Sequence, residues 1–164
     1  MTTMAWLEDL SPCSDPGEDG GLVLAVGWMD HLHPYTRGPV STLLVDRLVE
    51  LLVDPWQPRR TLGWHDCTLC RLSRGPRAFE HKGTEVKLGI NNLFVPVPNK
   101  GRLYIAPSMI LHSMDAHGYS PPAEFVRAVH KCPPMRSPKY LEALRAVAPQ
   151  WMLDAGPLPW VAQR

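Results

Sequence analysis

Apolar positions fall in short runs rather than long stripes, and each run reads as a separate element. Leu22-Val-Leu-Ala-Val26 is continuous and apolar, which predicts a buried strand reaching toward Trp28. Leu44, Leu48, Leu51 and Leu52 recur at i, i+4, i+7 and i+8, one face of a helix that starts at Ser41 or Thr42, runs to about Val53 and stops at Pro55. Val86, Leu88 and Ile90 alternate over Glu85–Ile90, the period of a strand. Leu93–Val97 and Arg102–Ile105 predict two further strands, joined by Pro98–Gly101 with Gly101 at positive φ. Pro107 suits the first turn of a helix ending near His117, with Gly118 as its stop. Ser120-Pro121 and Ser137-Pro138 each place a capping serine before a proline, predicting helices to about His130 and Val147. Residues 30–39 read as a loop, and residues 55–83 as irregular with Trp56 and Trp64 as anchors.

The expected class is therefore α+β: a small antiparallel sheet or hairpins with about four helices around a single core. Length supports one domain. The expected division is an acidic arm over residues 1–20, a body over 21–148 and a Pro/Trp-containing tail over 149–164. In the arm, Met4, Trp6, Leu7 and Leu10 suit docking as one helical turn; in the tail, Trp151, Leu153, Leu158 and Trp160 suit packing or a partner. The 18 prolines are about twice the usual share, so elements should be short and a metal would be a useful stabiliser.

Charge changes the picture only locally. The net charge of +1 gives no overall attraction to nucleic acid or anionic membrane. Residues 71–87 nevertheless hold Arg71, Arg74, Arg77, Lys82 and Lys87 against Glu80 and Glu85. No run of 18 apolar residues predicts a membrane span. The first residues lack a signal-peptide pattern, so the expected location is cytoplasmic, where paired cysteines are more often metal ligands than disulfides.

One constellation carries chemistry. Cys67 and Cys70 are three apart, a spacing that lets both sulfurs face one point in a tight knuckle. A tetrahedral ion needs a second close pair, and His112 and His117 supply it in H-x4-H spacing. Positions i and i+5 are poorly aligned on a regular helix, so the last turn before Gly118 is expected to loosen. His65 is an alternative ligand or a supporting group. His31 and His33 share a face if extended and are a lesser candidate for metal or acid–base work. Cys132 is expected to be a buried structural thiol and His81 a solvated residue.

This layout resembles a zinc finger of the two-cysteine, two-histidine type: a cysteine knuckle, short strands, then a histidine-bearing helix. It departs in the linker, where Arg71–Leu111 gives 41 residues against about a dozen in the compact finger. That length excludes the simple DNA-reading module and implies an elaborated zinc fold. Gly63–Pro134 is also similar to small uncharacterised bacterial proteins, a likeness that implies no activity.

Catalytic patterns such as G-x-S-x-G, a phosphate-binding Gly-Lys-Ser/Thr loop and H-E-x-x-H are missing. Four protein ligands leave no open position on the ion, which points to a structural site and a protein partner, as in an adaptor or inhibitor. Two alternatives stay open. The basic loop could contact nucleic acid, or only three ligands could hold the zinc of an enzyme, with His65, Asp66 or the spare histidine carrying protons.

Overall fold

Five strands and five helices are present among residues 6–13, 22–58 and 65–155, the residues described by the computed structural model. The main sheet has three strands: β1 (Leu22–Ala25), β4 (Asn92–Val97) and β5 (Arg102–Pro107), with β5 in the centre. β4 and β5 form the expected hairpin, in register Asn92 with Pro107 and Val97 with Arg102. A 3-10 turn at Pro98–Lys100 joins them, and Gly101 takes φ 61° as its position demands. β1 lies parallel to β5, so the sheet is mixed rather than purely antiparallel. The long connection between β1 and β5 makes that parallel pairing feasible.

Residues 6–13 cover the free edge of β1. Leu10 and Cys13 donate backbone hydrogen bonds to Ala25 and Val23, and Ala25 donates to Ser11. The segment is extended and turned rather than helical, with Leu10 at φ 67°. Asp9 accepts from the Gly27 N–H at 2.9 Å and from the Tyr119 hydroxyl at 2.8 Å, tying this segment to the far side of the core.

Helix α1 (Thr42–Leu52) forms where its leucine stripe requires, and Ser41 caps it by accepting from the Leu43 N–H. Leu44, Leu48, Leu51 and Leu52 are all buried. A second, two-stranded sheet pairs β2 (Ala78–His81) with β3 (Thr84–Lys87). β2 lies in a stretch whose sequence gives no strand signal. Lys82 and Gly83, both at positive φ, make its turn. His81 is not simply solvated: with Lys82 it binds Asp46 of α1, at 2.6 and 3.0 Å.

Three further helices complete the body: α2 (Ile110–His117), α3 (Ala123–Lys131) and α4 (Pro138–Val147). Ser137 caps α4 by accepting from the Tyr140 N–H, and the Tyr140 hydroxyl donates to the Phe94 carbonyl at 2.7 Å. Two predicted starts are displaced. Pro107 ends β5 instead of opening α2, a strand-end position where its missing N–H costs nothing. α3 starts at Ala123 rather than after Ser120, because Pro121 precedes Pro122 and is thereby kept out of helical geometry. A short α5 (Gln150–Ala155) lies in the predicted tail, burying Met152 and exposing Trp151. Met4, Trp64, Leu158 and Trp160 lie outside the described residues. Trp56 is buried edge-on against Phe94, as an anchor should be. No described helix is long and apolar enough to cross a membrane.

Candidate metal centre

The cysteine knuckle is built by backbone contacts on both sides. His65 N–H donates to the Gly89 carbonyl at 2.7 Å, and Cys67 N–H to the Arg74 carbonyl at 2.8 Å. Arg74 and Gly75 therefore return the chain across Cys67. Gly75 sits at φ 86°, and a Cβ there would stand 2.7 Å from the Cys67 Cβ. Only glycine permits both that backbone and that approach. Burial, the largest effect, pushes the Cys67 thiol above its ordinary pKa, while the backbone N–H groups of Cys70 and Leu69 oppose it by favouring the thiolate.

The histidines come from α2, whose end is wider than a regular helix. The N–H groups of Gly118 and Tyr119 both reach the Ser113 carbonyl, five and six residues back. Gly118 at φ 67° makes this possible. The loosened last turn brings His117 round to the same point as His112, as the H-x4-H spacing needs. Residues 35–38 hold it there. The Tyr35 hydroxyl donates to the His117 carbonyl at 2.9 Å, Arg37 bridges to Tyr119, and Gly38 N–H donates to the Gly118 carbonyl at 3.1 Å.

The four side chains converge, with one donor atom of each within 4.8 Å of all the others. The Cys70 sulfur stands 3.2 Å from His112 Nε2 and 3.6 Å from His117 Nε2, and the Cys67 sulfur 3.4 Å from His117 Nε2. A tetrahedral ion with bonds of ~2.3 Å to sulfur and ~2.05 Å to nitrogen has S···N edges of ~3.6 Å. The observed distances fit those edges. Burial lowers the pKa of both histidines, with the charge of His117 adding to the effect at His112 and that of Arg37 at His117. Neutral imidazole is the form that binds a metal. The quartet could thus hold a metal ion.

His65 stands outside the quartet. Its ring is buried edge-on to Trp28, burial lowers its pKa, and its Nδ1 finds no hydrogen-bond partner among the described residues. Asp66 binds Arg77 at 3.1 Å. Of the basic loop, Arg77 and Lys82 are thus engaged by carboxylates of the chain, while Arg71, Arg74 and Lys87 are exposed. His31 and His33 do not join the quartet. They border it: His31 N–H donates to the Thr68 hydroxyl within the knuckle, and His33 Nδ1 pairs with Asp30 at 2.7 Å. Cys132 is buried, as expected, and its thiol pKa is pushed up to about 12.

Sequence reasoning missed Gly75, Tyr35, Arg37 and Thr68. A glycine in Ser73-Arg-Gly-Pro76 reads as an ordinary turn, and the other three gain their roles only from tertiary contact.

No curated protein and no solved structure matches the chain. A family model does match, over residues 5–130, a span that takes in the knuckle, residues 35–38 and all of α2. On that match the chain belongs to the family described as domain of unknown function DUF7919.

Proposed function

We propose that the chain binds one zinc ion through Cys67, Cys70, His112 and His117, and that this ion fastens a fold whose work is macromolecular binding rather than catalysis. The observation that carries the reading is the convergence of two sulfurs and two imidazole nitrogens within 4.8 Å of one another, with three S···N distances of 3.2–3.6 Å close to tetrahedral edges. Two thiolates with two imidazoles suit zinc above harder divalent ions. Four protein ligands leave no position for a water, which separates a fastening ion from a catalytic one. The ion would join the irregular segment around Cys67 to the end of α2, two regions that are distant in sequence.

A protein partner is supported by the loop tips that frame the centre. Leu32 is 74% exposed between His31 and His33, and Leu72 is fully exposed next to Arg71. Apolar side chains at such tips are a grip for a protein surface.

Mass spectrometry of the purified protein tests the metal reading. The expected result is about one zinc per chain, lost in Cys70→Ser, His112→Ala and His117→Ala and kept in His65→Ala. A folded, reduced parent without metal would end the proposal. Cross-linking tests the partner: Leu32→Asp with Leu72→Asp should abolish a protein adduct that the parent forms, and an unaltered adduct would place the grip elsewhere.

A further inference from the structure

Beside the metal centre lies an open pocket of about 660 Å³, within the size range of small-molecule sites. Three separate segments build it. His31, His33 and Arg37 come from the loop after Trp28, Arg71 from the knuckle, and His117 from the end of α2. Its lining contains two guanidinium groups and no carboxylate. Among the described residues, no ion pair engages Arg37 or Arg71.

The wall built by residues 31–37 is tied down by contacts, while Arg71 on the facing side is exposed. Arg37 is held by its backbone bridge to Tyr119 and lies over the Tyr35 ring at 4.9 Å. The His31 backbone is tied to Thr68. His33 is stacked on Trp6 at 3.8 Å between ring centroids and pinned through Nδ1 by Asp30. Its Nε2 forms no hydrogen bond to the described residues. Asp30 itself is occupied by that ring and by the Leu32 N–H. A zinc ion bound to two thiolates is neutral overall, so a filled centre would not cancel the positive charge of the pocket.

We infer that this pocket binds a small phosphate monoester, with Arg37 and Arg71 taking the phosphate oxygens and His31 or His33 completing its hydrogen bonds. Two guanidinium groups present planar sets of donors that match a phosphate dianion, more charge than one carboxylate would need. The apolar Leu69 lines the same pocket and offers the remainder of the molecule a contact. The pocket shares Cys70 and His117 with the zinc quartet, but the ligand inferred for it differs from the metal and goes beyond the fastening role.

The test uses the full metal-loaded chain, titrated with glycerol phosphate, with inorganic phosphate, and with a short single-stranded oligonucleotide, followed by amide chemical shifts. Saturable shifts confined to residues 31–37, 68–71 and the end of α2 around His117 are expected with glycerol phosphate. Arg37→Gln and Arg71→Gln should each weaken binding by about tenfold or more, while metal content and melting temperature stay unchanged. Tighter binding of the ester than of inorganic phosphate assigns a phosphorylated molecule; equal binding assigns the free ion, and either supports the pocket. Shifts that never saturate, or affinity that ignores both substitutions, would overturn it. Binding of the oligonucleotide alone, weakened by Arg74→Gln and Lys87→Gln, would overturn it in favour of a strand-tracking surface. Failure of the zinc proposal would show separately, in the metal content.

Discussion

At the scale of single residues, the centre depends on a glycine as much as on its four donors. Gly75→Ala must place a side chain at φ 86° and drive its Cβ into Cys67. Gly83 offers a control, since it has φ 82° and open space around the added Cβ. Gly83→Ala should therefore carry only the backbone penalty, about 1 kcal/mol. Gly75→Ala should cost clearly more and also reduce metal per chain, because the knuckle must shift. Paired melting curves and metal analysis of both variants decide it; equal losses with metal retained would show that the close approach does not matter. The grouping of these four side chains was legible in the sequence because Cys-x-x-Cys and His-x4-His are local spacings. Gly75, Tyr35 and Arg37 were not, since nothing local distinguishes a glycine that passes over a cysteine from one that merely turns.

At the scale of elements, the readable parts were those with strong local signals. α1 and α4 have a serine cap and an apolar stripe, and the β4–β5 hairpin has two apolar runs around a glycine turn. β2 has four residues whose exposure alternates but none fully buried, and Ala-Phe-Glu-His is too short a pattern to announce a strand in the sequence. The start of α3 was misplaced because a serine-proline pair looks like a cap until the second proline is weighed. α3 is instead tied to the sheet by side chains: Glu124 accepts from the Tyr104 hydroxyl and pairs with Arg102 at 2.5 Å. These contacts, led by the tyrosine hydrogen bond, hold the Glu124 carboxyl below its ordinary pKa. A carboxyl depressed in the folded state binds protons less readily there than in the unfolded chain. Its contribution is thus present above the ordinary carboxyl range and disappears as pH falls through the folded value. Glu124→Gln should therefore flatten the loss of melting temperature below about pH 4.5 relative to the parent, at matched metal content. Parallel curves for the two proteins would show that this contact does not couple α3 to pH.

At the scale of the whole molecule, the question is how much of the fold an ion bound in the quartet would hold. The main core, from Val23 in β1 to Met152 in α5, is continuous and includes the leucines of α1, Trp56, Phe94, Phe125 and Tyr140. Such a core does not need a metal to exclude water, unlike that of a minimal finger. The segments that an ion in the quartet would fasten are 65–77, which contain no regular structure before Ala78, and the last turn of α2, whose loosened geometry presents His117. Residues 30–37 lean on both, through Thr68 and the His117 carbonyl. Removing the metal should therefore lower the melting temperature by ~10 °C or more, because a tightly held ion contributes several kcal/mol to a domain of this size. Loss of order should be selective. Amide exchange is expected to accelerate in 30–37, 65–77 and 113–119, while β4, β5 and the interior of α4 keep their protection. Uniform acceleration across the chain would mean that core and centre melt as one unit, so that the ion nucleates the fold. Unchanged exchange and melting after proven metal removal would mean that the knuckle is held by Gly75 and its backbone contacts alone.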